Sequence, residues 1–428
     1  MERLLEIARK QADAVTVFGT SYTVDNVRFD NARLKAVDTH LNSGTAITVV
    51  KDGKQGFAYT RNLIDREGLV RDALAALAGG VEAAGDLSQP VELPTLDTAV
   101  EHVGGSSVLV DECRRTVEYL SSRTKGQVNA AATRTTSDQR VLTSSGVDAH
   151  SLGTSYGAYG AVLYPGTNAN IFRGFTAKAL APFPEEDLKF VAETYNASQK
   201  EVKATSGRTR VLFLPYTAYA LVWRLIEATH ARNVYEKVSP LAGRIGEQVL
   251  SDKLTLRDEP LNDSRPGARA FDDEGTPCRS LTLFERGVLK AFYNDRFYAH
   301  KLGTEPTGHG WRGDITARPE ASLEHLTVSP GELSFEQMLK VMGRGVVGVM
   351  ALGAHSGNRL SGEYSIGLAP GLLVEDGGIV GVIKDSMVTG NVYEDLKKVV
   401  AVESRVHNAP MGHFPSLLLD DISFTTRS

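Results

Sequence analysis

From Arg208 to Ser428 the chain rarely holds one hydrophobic period for more than a few residues, and this restricts its fold more than any other feature. Val211–Leu214 reads as a short strand and Tyr216–Tyr235 as a helix. Beyond them lie short β-branched runs cut by Gly-rich turns, with further helices expected only near Phe292–Leu302 and Ser334–Val341. Such a stretch buries its apolar side chains by strand pairing rather than in a helical bundle. It is read as one strand-rich domain, 206–428.

The first half reads differently. Residues 1–15 form an amphipathic helix with Leu4, Leu5 and Ala8 on one face. Three extended segments follow, Ala14–Gly19, Tyr22–Asp30 and Arg33–Asp38, then Gly44–Val50 and a return strand Gly56–Thr60 across the Asp52-Gly53 turn. Asp65–Ala84 carries Leu69, Val70, Ala73, Leu74 and Leu77 at helical spacing. These elements make an N-terminal α/β domain, 1–85. Residues 86–105, with Pro90 and Pro94, read as a linker. A middle α/β region, 106–205, opens with a helix at Val110–Ser122. It continues through strand-like Val128–Thr136, Gln139–Ser145 and His150–Leu163 and ends on a helix at Pro184–Lys203. The fold class is therefore α+β. A length of 428 residues suits two or three such units.

Composition excludes several functions. The net charge is −5 with no Lys/Arg run, which argues against direct nucleic-acid binding. No stretch of about 18 apolar residues offers a membrane span, and the first twelve residues lack the apolar core of a signal peptide. Cys113 and Cys278, the two cysteines, are far apart and form no disulfide framework. Together these features point to the cytoplasm.

Two motifs are decoys. Gly153-Thr154-Ser155-Tyr156-Gly157 has the G-x-S-x-G form, but its flanks alternate as a strand does and no helix follows, as a nucleophile elbow requires. Gly343-Arg344-Gly345-Val346-Val347-Gly348 has the G-x-G-x-x-G form, but a helix precedes it and a strand follows. That order keeps a helix N-terminus away from any pyrophosphate.

The informative stretch runs from Arg208 to His309. It holds Arg210-Val211-Leu212-Phe213-Leu214-Pro215, the helix after it, Ser239-Pro240-Leu241-Ala242-Gly243-Arg244 and Phe271-Asp272-Asp273-Glu274-Gly275. Ala299-His300-Lys301-Leu302-Gly303 and Pro306-Thr307-Gly308-His309 complete it. With Gly44–Val50, Gln55-Gly56-Phe57-Ala58, Val388–Tyr393 and Pro415–Leu419, these segments fall in the order of the TldD/PmbA family, and the chain resembles its PmbA (TldE) side. The resemblance implies a barrel-like C-terminal domain and capture of an extended peptide along a sheet edge. In the family, TldD-type subunits carry H-E-x-x-x-H on the helix of this domain and a further Cys ligand near the C-terminus. PmbA-type subunits lack both and form a heterodimer with TldD, and the pair is a metallopeptidase acting on unfolded or small peptides.

Here the helix reads Arg224-Leu225-Ile226-Glu227-Ala228-Thr229-His230-Ala231. Aligned on Glu227, the two His positions hold Ile226 and Ala231; aligned on His230, the upstream pair is Leu225-Ile226. No Cys lies between Val406 and Ser428. One imidazole cannot hold zinc usefully. The expectation is a non-catalytic subunit with no catalytic residue and no metal of its own, zinc residing in the TldD-type partner. A homodimer is the arrangement open to it without that partner.

The candidate peptide- or partner-facing residues are Glu227, His230, Asp272, Glu274, Thr307, His309 and His355. Glu227 and His230, three apart, are read by preference as a surface pair on one helix, and otherwise as a remnant of the metal site. Asp272, Asp273 and Glu274 read equally as contacts for a peptide or partner and as a solvated turn before Gly275. His309 and His355 sit on Gly-rich loops, where sites often lie, and His325 in an apparent strand. Two alternatives remain: a self-sufficient hydrolase in peptide or natural-product processing, and a regulatory protein associated with DNA gyrase.

Overall fold

The computed structural model describes residues 1–101, 105–163 and 170–427. Two antiparallel three-stranded meanders, joined through the first strand of each, build its first sheet. β1 (Ala14–Asp30), β2 (Arg33–Lys51), β3 (Lys54–Thr60), β4 (Val128–Thr143), β5 (Asp148–Leu163) and β6 (Asn170–Ala177) lie in the order β3-β2-β1-β4-β5-β6. The three extended segments expected between 14 and 38 are thus parts of two long strands. β1 runs unbroken through Gly19 and Thr20 because both neighbours pair with it there, Gly19 with Thr45 and Arg140. Gln139–Ser145 likewise continues Val128–Thr136 as one strand.

The pairing of β1 with β4 places residues 14–60 and 128–177 in a single sheet. The segment from 86 to 105, of which 102–104 lie outside the described residues, connects two halves of that sheet. On β1, Val15, Val17, Val27 and Phe29 share the helix-covered face. α1 (Glu2–Ala8) and α2 (Arg66–Ala75) cover the first pair, and α3 (Ser107–Ser121) and α4 (Glu185–Ala197) the second. Phe18 and Ala46 point the other way, against Phe271 and Ile315 of the C-terminal region. Several expected helices are shorter than their patterns: α1 ends at Ala8 rather than at 15, because Ala14 already pairs in β1, α2 tightens into a 3-10 turn at Ala76–Gly79, and α4 stops at Ala197.

The C-terminal region is strand-rich and curls into a half-barrel. Its main sheet has nine strands, and β7 (Gly207–Phe213) lies near the middle between the strands Gly345–Gly348 and Leu417–Thr425. α5 (Pro215–Thr229) follows β7 directly, with Pro215 at the first turn, where no N–H is needed. The helix expected over Tyr216–Tyr235 is in fact two. His230 takes an extended backbone (ψ 124°) and begins α6 (Ala231–Tyr235). Ser334 and Gln337 form a capping box at α8 (Phe335–Met342; α7 is Arg296–Leu302), and the strand at Gly345 comes only after α8. Ser155 of the other decoy lies inside β5. No helix among the described residues is long and apolar enough to cross a membrane.

Candidate functional site

Four of the seven candidate residues, Asp272, Glu274, Thr307 and His309, fall in one buried layer between the first sheet and the half-barrel. The local sequence makes the turn. Gly275 has φ +80°, which most residues avoid, and Asp272 accepts at Oδ1 from the backbone N–H of Glu274 (3.0 Å) and Thr276 (2.9 Å). Its Oδ2 accepts from Gly310 N–H at 2.9 Å. The neighbouring Asp273 pairs with Arg269 at 2.5 Å and accepts from Arg312 N–H at 2.8 Å. Glu274 reaches back to Arg296 N–H at 2.9 Å and lies where Gly310 leaves room; a Cβ there would come within 2.5 Å of its Oε2. The Asp272–Glu274 segment is therefore not a solvated turn. Its carboxylates are buried and spent on backbone N–H groups and an arginine.

Burial raises the Asp272 pKa to about 6 against the pull of its three backbone donors. Burial again, with Asp272 and Asp295 nearby, pushes Glu274 up to about 8 despite the opposing charge of Arg296. The Arg296 guanidinium in turn donates to the Asp86 carbonyl at 2.6 Å and the Gly85 carbonyl at 3.2 Å, fastening the start of the 86–105 segment to the C-terminal region. A cleft of about 220 Å³ opens beside this layer, lined by β1–β3, Glu274, Arg296 and Arg312.

Thr307 and Asn294 hold each other through three hydrogen bonds: Thr307 N–H to Asn294 Oδ1 (2.7 Å), Asn294 N–H to Thr307 Oγ1 (2.9 Å) and Thr307 Oγ1–H to the Asn294 carbonyl (2.8 Å). That clamp sets the next loop, where Cys278 donates to the Gly308 carbonyl. The His309 ring is wholly buried, with Nε2 3.2 Å from Asp258 Oδ2, and the other Asp258 oxygen accepts from His325 N–H at 2.9 Å. The sequence carries no local signal for Asp258, an acid in a strand-like run that meets its buried imidazole far along the chain.

Glu227, His230 and His355 lie apart from this layer. Glu227 and His230 do not form a pair, because the helix ends between them. Glu227 meets Arg359 at 3.1 Å. His230 Nδ1 accepts from Arg232 N–H at 3.0 Å, capping α6, and its ring packs against Tyr293 at 4.9 Å. Burial depresses its pKa to about 4. His355 stands exposed on the 353–361 loop. That loop is pinned by the buried Arg224, whose guanidinium donates to the carbonyls of Glu363 (2.8 Å), Ala354 (3.2 Å) and Ser356 (2.8 Å).

The residues of α5 do not fit a metal. Leu225 and Ile226 pack into the main hydrophobic core, and Ala231 is buried. An imidazole at any of these places would displace that packing. The nearest histidine, His230, has one ring nitrogen committed to a cap. Among the described residues no three His, Cys, Asp or Glu side chains converge as ligands.

Comparison with known proteins agrees with the fold. The model of the PmbA/TldA metallopeptidase C-terminal domain matches residues 206–426, and that of metallopeptidase domain 1 matches residues 15–84. Metalloprotease PmbA of Escherichia coli O157:H7 is 28% identical over 220 residues, which is 51% of this chain and 46% of that protein. The match thus spans about half the length of that curated relative. TldE from Thermococcus kodakarensis superposes with a TM-score of 0.91 at 21% identity, covering 99% of both chains. A candidate modulator of a DNA gyrase from Thermotoga maritima gives 0.86 at 28% identity, also over 99% of both chains.

Proposed function

This chain belongs to the PmbA/TldA metallopeptidase family, and from that premise we propose that it is the metal-free, TldE-type subunit of a cytoplasmic heterodimeric peptidase. A TldD-type partner supplies zinc, water activation and the general base. This chain completes and shapes the chamber that receives an unfolded or small peptide.

One observation carries the reading: where the partner type would present imidazoles from a single helix, this chain has Leu225, Ile226 and Ala231 packed in the core and a helix broken at His230. Zinc held by side chains needs three or four donors converging at about 2.0–2.3 Å. A lone imidazole that already caps a helix does not provide them.

The test is co-expression with a TldD-type protein from the same source. Complex mass, zinc content and cleavage of an unstructured peptide are then measured with and without a chelator. The expected result is a complex with one zinc per pair and chelator-sensitive cleavage, neither of which the chain has alone. Stoichiometric zinc and peptide cleavage by the purified chain alone would sink the proposal.

A further inference from the structure

The cleft beside the Asp272–Glu274 turn is lined by charges that the chain itself does not pair. Thr16 of β1 and Thr48 of β2 line it and stand abreast with Phe57 of β3 across the sheet. Around Phe57 two cations gather: the guanidinium carbons of Arg312 and Arg318 lie 5.4 Å and 6.0 Å from the ring centre. Both side chains also line the cleft. Among the described residues neither forms an ion pair. Asp273, which lies by Arg312, is paired with Arg269 at 2.5 Å and takes only the backbone N–H of Arg312. Of the Arg312 guanidinium, Nη1 donates to the Ala317 carbonyl and the buried Nε has no acceptor. Glu274 lines the same cleft, but burial pushes its pKa up to about 8, so it adds no negative charge there at neutral pH.

Two acids gather on the side of Tyr298. Asp295 accepts from the Tyr298 N–H at 2.8 Å. Burial raises the Asp295 pKa, and the charge of nearby Glu320 raises it further, the response of an acid with no cation beside it. Glu320 is exposed, and neither acid forms an ion pair among the described residues. Two cations and two anions thus line one cleft without pairing with each other. A charge partly withdrawn from water and left unpartnered is unfavourable, and a ligand that carries the opposite charge relieves it.

We propose that this cleft binds a small zwitterion, a free amino acid or a dipeptide, with its carboxylate on Arg312 and Arg318 and its ammonium on Asp295 and Glu320. Guanidinium is the side chain best matched to a carboxylate. A phosphate dianion would satisfy the arginines but face the two acids, and a metal cation would face the two arginines. The cleft holds about 220 Å³, below the roughly 300 Å³ at which sites for drug-sized molecules begin, so the ligand is one or two residues long. Val15, Val50 and Leu87 give its side chains an apolar wall. This assignment does not rest on the peptidase reading, since every group in it belongs to this chain; under that reading the ligand has the chemistry of a peptidase product.

Calorimetric titration of the purified full chain at pH 7 tests it, with four probes: alanyl-leucine, its N-acetyl form, its C-terminal amide and inorganic phosphate. Alanyl-leucine should bind at one site per chain, and each blocked form about tenfold or more weakly, because each loses a charge-assisted contact. Arg318→Gln should weaken alanyl-leucine and the amide-free N-acetyl form but leave the amide unchanged. Glu320→Gln should weaken alanyl-leucine and the amide but leave the N-acetyl form unchanged. Circular dichroism and melting confirm that each variant is folded, and Glu320, being exposed, keeps the test open if Arg318→Gln is not. No heat with alanyl-leucine at millimolar concentration overturns the proposal. So does equal binding of the blocked forms, affinity for phosphate that matches the dipeptide, or binding indifferent to Glu320→Gln.

Discussion

Replacing Glu274 by Gln should make the protein more stable, not less, at mildly alkaline pH. The carboxyl is buried, its one hydrogen bond is to Arg296 N–H, and its pKa is pushed up to about 8 from an ordinary 4.5. An acid whose folded pKa lies above its unfolded value keeps its proton in the native state across that interval. The native state then binds more protons than the unfolded chain, and stability falls as pH rises from about 4.5 to 8. Each pKa unit corresponds to about 1.4 kcal/mol, so even half the shift, after local relaxation and sharing with Asp272, amounts to about 2 kcal/mol. Glutamine has the same shape, retains the acceptor for Arg296 and carries no charge. The assay is urea denaturation of wild type and Glu274→Gln at pH 5 and pH 8. The two should be close at pH 5, and the variant should be more stable by about 2 kcal/mol at pH 8. Parallel pH profiles, or a variant destabilised at both values, would show that the carboxyl is ionised and well compensated in the fold, and the reasoning fails.

The other predictions concern single contacts. Arg224→Met removes guanidinium donors from the loop carbonyls of Ala354 and Ser356 and from the strand carbonyl of Glu363; hydrogen exchange at 353–361 should accelerate, with an overall loss of about 3 kcal/mol. His230→Ala deletes a cap and a ring contact, costing about 1–2 kcal/mol in denaturant titration, and should leave metal content unaltered. Arg296→Met frees the carbonyls of Gly85 and Asp86, and limited proteolysis should then cut within 84–97 well before the rest of the chain.

The parts of this fold legible in the sequence are those set by local periodicity. The α2 stripe of Leu69, Val70 and Ala73, the strand–α5 order after Arg208 and the reversed order around Gly343 all depend on neighbours within a turn or two. What escaped local reading depends on distant partners. β1 reads as separate pieces because Gly19 and Thr20 weaken its pattern, yet β2 and β4 hold it straight from both sides. His230 ends a helix without Gly or Pro; Arg232 N–H and Tyr293 reward the break, and Tyr293 lies sixty-three positions away. The candidate layer was legible as a set of residue types, but its burial was not. Asp272, Asp273 and Glu274 are hydrophilic in any local reading; inside the protein the N–H groups of Gly310, Arg312 and Arg296, remote in sequence, join the turn's own N–H groups and Arg269 in accommodating them.

The strand Leu417–Thr425 lies in the interior of the nine-stranded sheet, hydrogen-bonded to β7 on one flank and to Met387–Asn391 on the other. A nascent chain therefore carries β7 and its partners for some two hundred residues with a vacant slot between them. Stopping synthesis ahead of residue 417 leaves the half-barrel split down its middle rather than merely trimmed, so quality control would meet such products as two exposed seams. Vectorial folding from the ribosome cannot finish this domain piecemeal; its completion waits for that late segment to emerge.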